Sequence, residues 1–136
     1  MSRDDGLERL ARIAVDCGFR LHDELGPGLL ESVYETVLAA MLVESGLGVA
    51  RQVAVPIVYR GAVFDNAFKA DLIVEGRLLI ELKSTERHAP VHATQLLTYL
   101  RLMDPPLGLL MNFGLATFKE GVQRIANDYR SGWTKP

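Results

Sequence analysis

Apolar positions along this chain follow two rhythms. Leu7, Leu10, Ala14, Cys17, Leu21 and Leu25 recur every three or four residues, the stripe of an amphipathic helix. Asp4 or Asp5 can cap it, and Glu8 stands at capping-box spacing from Asp5. The helix runs to about Glu24, and Leu25-Gly26-Pro27-Gly28 breaks it. Leu30, Val33, Tyr34, Val37, Leu38, Met41 and Leu42 mark a second helix from about Leu29 to Ser45, stopped by Gly46. The period then shortens to two. Val49, Arg51, Val53, Val55 and Ile57 alternate with Ala50, Gln52 and Ala54 in a strand that reaches Tyr59. Pro56 marks an edge position or an irregularity in it. Arg60-Gly61 turns the chain into a second strand, Ala62 to Val74, kinked near Asn66. A third strand, Leu78 to Lys83, sets Leu78, Ile80 and Leu82 on one face and Leu79, Glu81 and Lys83 on the other.

After a loop over Glu86 to Pro90, a helix from about Val91 to Met103 carries Leu96, Leu97, Tyr99, Leu100 and Met103. It ends before Pro105-Pro106. Leu107 to Phe113 is apolar without alternation, the pattern of a strand buried on both faces. Phe118 to Ile125 is expected to add a short edge strand or turn, and a polar tail follows from Asp128. The expected fold is α/β, in the order α-α-β-β-β-α-β. Three antiparallel strands are followed by a crossover helix and a buried parallel strand, with helices on both sides of a mixed sheet.

Composition narrows the function classes. The 136 residues are read as one domain, 1–136, with a hydrophobic share of 49% and a charged share of 24%, an ordinary globular mixture. The net charge of -2 argues against a broad polycationic surface. It leaves nucleic acid open as a partner, because an acidic site hides its charge once a cation is bound. The lone Cys17 fits a reducing, cytoplasmic location. No apolar run is long enough for a membrane span and no signal peptide is visible.

Three charges break the strand pattern: Asp71, Glu81 and Lys83. Their relation depends on the turn between them. A two-residue Glu75-Gly76 loop would send Asp71 and Glu81 to opposite faces. A three-residue connection through Glu75, Gly76 and Arg77 sets them opposite each other, about 5 Å apart at Cβ. The odd-numbered turn is expected, and with it a divalent cation, because two carboxylates that close repel unless a cation or a proton intervenes. A carboxylate from a packing helix would complete the set, with Glu31 and Glu35 as candidates one helical turn apart. Glu31 also suits the positive end of the helix dipole, which is a structural reason for its presence. Such a site binds Mg²⁺, Lys83 can orient the attacking water or neutralise charge on the phosphate, and the chemistry is phosphodiester hydrolysis.

The ordered set of motifs resembles the PD-(D/E)XK nuclease superfamily, and within it the GxxExxY proteins. The resemblance rests on Gly28-Leu-Leu-Glu31-Ser-Val-Tyr34 followed by Glu35, on Asp71 then Glu81-Leu-Lys83, on His92-Ala-Thr-Gln95, and on Gly108-Leu-Leu-Met-Asn112-Phe. It covers about Ile13 to Asn127. It implies a restriction-endonuclease-like (PD-(D/E)XK) core, with Asp71, Glu81, Lys83, Glu35 and Gln95 catalytic. Asp71, Glu81 and Glu35 would be metal ligands, with Glu31 as the alternative helical ligand. Gln95 and Tyr99 resemble the Q-x-x-x-Y feature of RecB-like nucleases. Lys69, Tyr99 and His92 would meet the substrate; Lys69 stands where an Arg is more usual in the group. One departure is Ala70, where the superfamily's name has proline.

The resemblance implies a Mg²⁺-dependent nuclease, with Mn²⁺ able to substitute, acting on nucleic acid as a DNA endonuclease. A homodimer would supply the two cuts that a duplex needs. The alternatives are a non-catalytic module of the same fold that binds nucleic acid or protein, and a structural homodimer whose carboxylates are ordinary ion-pair partners. His22 and His88 are read as structural or solvated, Tyr34 as core, and Asn112 as a bonding partner of backbone groups in a turn.

Overall fold

The computed structural model describes residues 5–103 and 107–126, the side chains of Asp5 and Ala67 excepted. The chain forms α1 (Asp5–Leu25), α2 (Glu31–Glu44), β1 (Val49–Tyr59), β2 (Ala62–Val74), β3 (Leu78–Lys83), α3 (Pro90–Met103), β4 (Leu107–Asn112), α4 (Phe118–Gly121) and β5 (Val122–Ala126). This is the expected α/β order, extended by a one-turn helix and an edge strand. The capping roles of Asp4 and Asp5, the Pro105-Pro106 stop and the stretch from Asp128 lie outside the described residues. Glu8 pairs with Arg124 of β5. Among the described residues, no helix is long and apolar enough to cross a membrane.

The sheet has five strands in the order β1-β2-β3-β4-β5. Every pairing is antiparallel except β3 with β4, which is parallel. That is the outcome of the α3 crossover, since parallel neighbours cannot be joined by a tight turn. The even residues of β3 (Leu78, Ile80 and Leu82) pack with α1 and α2, whereas Leu79 packs with Leu96 and Leu100 of α3. All six residues of β4 are buried, as its unbroken apolar run requires.

Period two fails at one rung of the β1–β2 ladder. Arg51 pairs with Leu72 and Val53 with Ala70, which leaves Gln52 and Asp71 between them. Below that rung, Val49, Leu72 and Val74 belong to the α1–α2 layer. Above it, Val53, Val55, Phe68 and Ala70 belong to the α3 layer. Residues two apart, which a regular strand keeps on one face, are therefore divided between layers. Gln52 lies in the left-handed region, with φ 48°. The uniform alternation read from the sequence of β1 is corrected here, because the hairpin turns over at Gln52–Asp71. Further out, Pro56 alone stands opposite residues 65–67, between the pairs Val55–Phe68 and Ile57–Phe64, and Asn66 has φ 57°. This is the kink expected near Asn66.

Two buried side chains fix the loops around these strands. The Tyr34 hydroxyl donates to the Gly26 carbonyl (2.5 Å) and accepts the Leu29 N–H (3.2 Å), while its ring stacks on Phe113 at 4.6 Å. Helix α2 starts at Glu31 rather than Leu29, because Leu30 is extended (ψ 150°) and forms its N-cap. Asn112 accepts the N–H groups of Thr85 and Gly114, each at 3.0 Å, and donates to Thr85 Oγ1 (3.1 Å).

Candidate active site

The connection from β2 to β3 runs through Glu75, Gly76 and Arg77. Glu75 (φ 53°) and Gly76 (φ 67°) are left-handed, and the Arg77 N–H closes on the Val74 carbonyl at 3.0 Å. The ladder pairs Val74 with Leu78, Ile73 with Leu79 and Leu72 with Ile80. One step further brings Asp71 to Glu81. There the side chains take over from the backbone. The Asp71 N–H donates to Glu81 Oε1 (3.2 Å), and the Leu82 N–H donates to Asp71 Oδ2 (2.9 Å). Each carboxylate satisfies a donor on the other's strand, so the strands part without orphaned amides.

The two carboxylates stay close in a partly buried setting. Burial first, and the neighbouring charge of Asp71 second, push the Glu81 carboxyl up to about 8; the Asp71 N–H and Lys83 oppose this. Glu81 without a cation is therefore protonated over much of the neutral range. Lys83 leaves the same strand two residues later. Its carbonyl accepts the Phe113 N–H at 2.8 Å, and the Thr85–Asn112 contacts hold the backbone just beyond it.

Glu35 reaches the site indirectly. It is buried on α2, 7% exposed. Its Oε2 accepts from Nε and Nη2 of Arg51, both at 3.2 Å, and Arg51 Nη2 also donates to Thr36 Oγ1 at 3.0 Å. Its Oε1 accepts from Gln52 Nε2 at 2.7 Å. That same nitrogen donates to Asp71 Oδ1 at 3.2 Å. Gln52 thus stands between the helical carboxylate and the strand carboxylate.

Helix α3 borders the other side. Gln95 Nε2 donates to the Tyr99 hydroxyl (2.7 Å), and the Tyr99 ring stacks on Phe68 at 3.7 Å. Burial and then the Glu81 charge raise the Tyr99 hydroxyl above its usual range, and Gln95 opposes this. His92 is pushed below its usual range by burial and then by Lys83, with Glu31 acting in the opposite sense. Glu31 is exposed at the first position of α2, and Lys69 is exposed across the ladder from Ala54. His22 bonds the Leu115 carbonyl (2.8 Å) and His88 bonds the Glu120 carbonyl (2.5 Å), both outside this cluster.

The structure therefore joins Asp71 to Glu81 directly and to Glu35 through Gln52. Lys83, His92, Gln95 and Tyr99 stand around them, and Glu31 and Lys69 lie at the surface. Among the described residues, no three His, Cys, Asp or Glu side chains gather into a ready-made cage for a metal ion. The two-carboxylate set fits a Mg²⁺-like cation all the same, since that ion keeps several waters and takes one or two protein carboxylates. Arg51 and Gln52 are the participants that sequence reasoning passed over. Their only signal was a polar pair inside the otherwise apolar strand Val49 to Tyr59.

Comparison with curated proteins found no match. A family model described as the PD-(D/E)XK nuclease superfamily matches residues 8–125, a span that begins within α1 and takes in both carboxylate strands, Lys83 and the α3 border. On that match, and with an acidic pair and a lysine on adjoining strands of a mixed α/β sheet, the chain belongs to the PD-(D/E)XK nuclease superfamily.

Proposed function

We propose that this protein is a divalent-cation-dependent nuclease, and that its substrate is DNA cut internally. The observation that carries this reading is the facing pair Asp71 and Glu81, with Lys83 on the same strand. Asp71 and Glu81 would hold the cation, Mg²⁺ or Mn²⁺, with Glu35 as the supporting helical carboxylate and Glu31 at the rim. Once bound, such an ion stabilises charge on the phosphoryl group and activates water. Lys83 brings a positive charge to the phosphate from a backbone fixed at both ends. Gln95 and Tyr99 form a polar wall beside Glu81, and His92 and Lys69 offer contacts for the nucleic-acid backbone. Within the superfamily, the motif Gly28, Glu31 and Tyr34 supports an assignment to the GxxExxY proteins. Tyr34 then serves to latch the loop that leads into α2. We place the protein in the cytoplasm, in keeping with the free, buried Cys17, and expect two copies to cooperate on a duplex.

The test is Mn²⁺ titration of the wild type and Asp71→Ala, followed by incubation of both with plasmid, single-stranded and branched DNA. Binding and cleavage that vanish together in the variant support the reading. A wild type that binds no Mn²⁺ and cuts nothing sinks it. A second reading, a binding module on the same fold, draws on Glu35 being already neutralised by Arg51. It predicts nucleic-acid binding that Asp71→Ala leaves unchanged.

A further inference from the structure

We propose that Gln52 is a positioning residue, through which Glu35 aims Asp71 at the cation. The inference rests on the metal reading above and adds to it a route from the helical carboxylate to the site. Both oxygens of Glu35 are occupied within the chain, Oε2 by Arg51 and Oε1 by Gln52. With two bonds from Arg51 on Oε2, Glu35 keeps one acceptor site, on Oε1 beside Gln52, for a cation. Asp71 carries only one bond on each oxygen, Oδ2 from the Leu82 N–H and Oδ1 from Gln52, so it is oriented and keeps an acceptor site on both.

The amide of Gln52 is suited to this post. Its nitrogen donates to a carboxylate on each side, 2.7 Å from one and 3.2 Å from the other. Only the NH₂ end of the amide can serve two acceptors, which settles its orientation. A charged donor in this place would compete with a cation for Asp71, and an acidic one would add a third repelling carboxylate. The neutral double donor links the two acids without either effect.

The backbone supports the same conclusion. Gln52 occupies a left-handed conformation in mid-strand, φ 48°, where a residue with a Cβ is uncommon. Such conformations persist when the surroundings over-determine them, and they gather at functional sites. The rung that carries this conformation is the one where the hairpin changes layers, and that change lets a β1 side chain meet both a helix of one layer and the strand acid.

The experiment uses the full chain and Mn²⁺ as the probe, with calorimetry for affinity and thermal melting in a chelator for the metal-free fold. Gln52→Gly removes the bridge and accepts the left-handed backbone. Gln52→Asn also tolerates that backbone and is one methylene too short to span both acids, so it stands in if the glycine variant does not fold. Glu35→Gln and its combination with Gln52→Gly complete a double-mutant cycle. Groups that orient a metal ligand typically change affinity by about 10–100-fold. Each single variant is expected to weaken Mn²⁺ binding by about 10-fold, and the double variant to be no weaker than either. The loss does not follow the metal-free melting temperature, which separates positioning from general stability. Unchanged or tighter Mn²⁺ binding in both Gln52 variants overturns the proposal, as do effects that multiply in the double variant. A Glu35→Gln loss with Gln52 variants intact would make Glu35 a direct ligand. A wild type that binds no Mn²⁺ overturns the metal reading itself, and the positioning role with it.

Discussion

Glu81 holds a proton that an exposed glutamic acid would lose. Its carboxyl titrates near 8 in the folded chain, against 4.5 for an unperturbed glutamate. Between those values the folded state binds more protons than the unfolded state, so metal-free stability falls as pH rises through the window and levels off above it. Glu81→Gln removes this dependence. In chelator, the variant should gain on the wild type between pH 5.5 and 8.5, reaching on the order of 1–2 kcal/mol at the upper end after allowance for partial exposure. Thermal melts at both pH values measure this, and parallel curves for the two proteins would refute it. The strand acids were legible in the sequence because a charge inside a period-two apolar pattern is conspicuous, as at Asp71, Glu81 and Lys83. Gln52 was not, because a polar residue at an alternating position reads as ordinary solvent face. Glycine, and to a lesser degree asparagine and aspartate, advertise a left-handed backbone, and glutamine does not.

At the scale of elements, the β2–β3 turn sets the chemistry. Its three residues make Asp71 and Glu81 face each other, and one residue fewer would divide them, since a single-step slip flips every side chain. Deleting Arg77 should therefore abolish Mn²⁺ binding. Pairing with β4 fixes β3 in place, so the slip falls on β2 and moves Leu72 and Val74 out of the α1–α2 core; the melting temperature should drop too. Gly76→Ala is the control. It strains a left-handed position (φ 67°) and costs about 1 kcal/mol, yet it keeps the register and should keep the metal. If the deletion variant binds Mn²⁺ like wild type, the turn does not govern the site. The long periodic helices, the meander and the buried parallel strand could all be read from pattern. The one-turn α4 was beyond it, since four residues carry no measurable helical period. The reversal at Gln52–Asp71 was hidden for another reason: it arises from two helical layers packing on one hairpin, which no single strand's pattern records.

The whole molecule carries a net charge of -2, and its candidate site concentrates carboxylates. Nucleic acid approaching such a surface meets repulsion unless a cation is already seated between Asp71 and Glu81. Two consequences separate this protein from a general polycationic binder. Duplex binding should need a divalent cation, and its salt dependence should be shallow, because few phosphates can be neutralised. With about three phosphates engaged, raising salt from about 50 to 200 mM should weaken binding by only some 40–60-fold, where a surface with 6–10 phosphate contacts loses about 10³–10⁵-fold. The measurement is fluorescence anisotropy of a labelled duplex on Lys83→Ala, chosen to slow cutting, across salt concentrations with Mn²⁺ and then with chelator. A shallow slope with Mn²⁺ and near-absent binding in chelator would mean that the cation is the main electrostatic bridge between an acidic protein and an acidic ligand. A steep slope that persists in chelator would locate nucleic-acid recognition on a basic surface away from Asp71 and Glu81, and would favour the binding module over the nuclease.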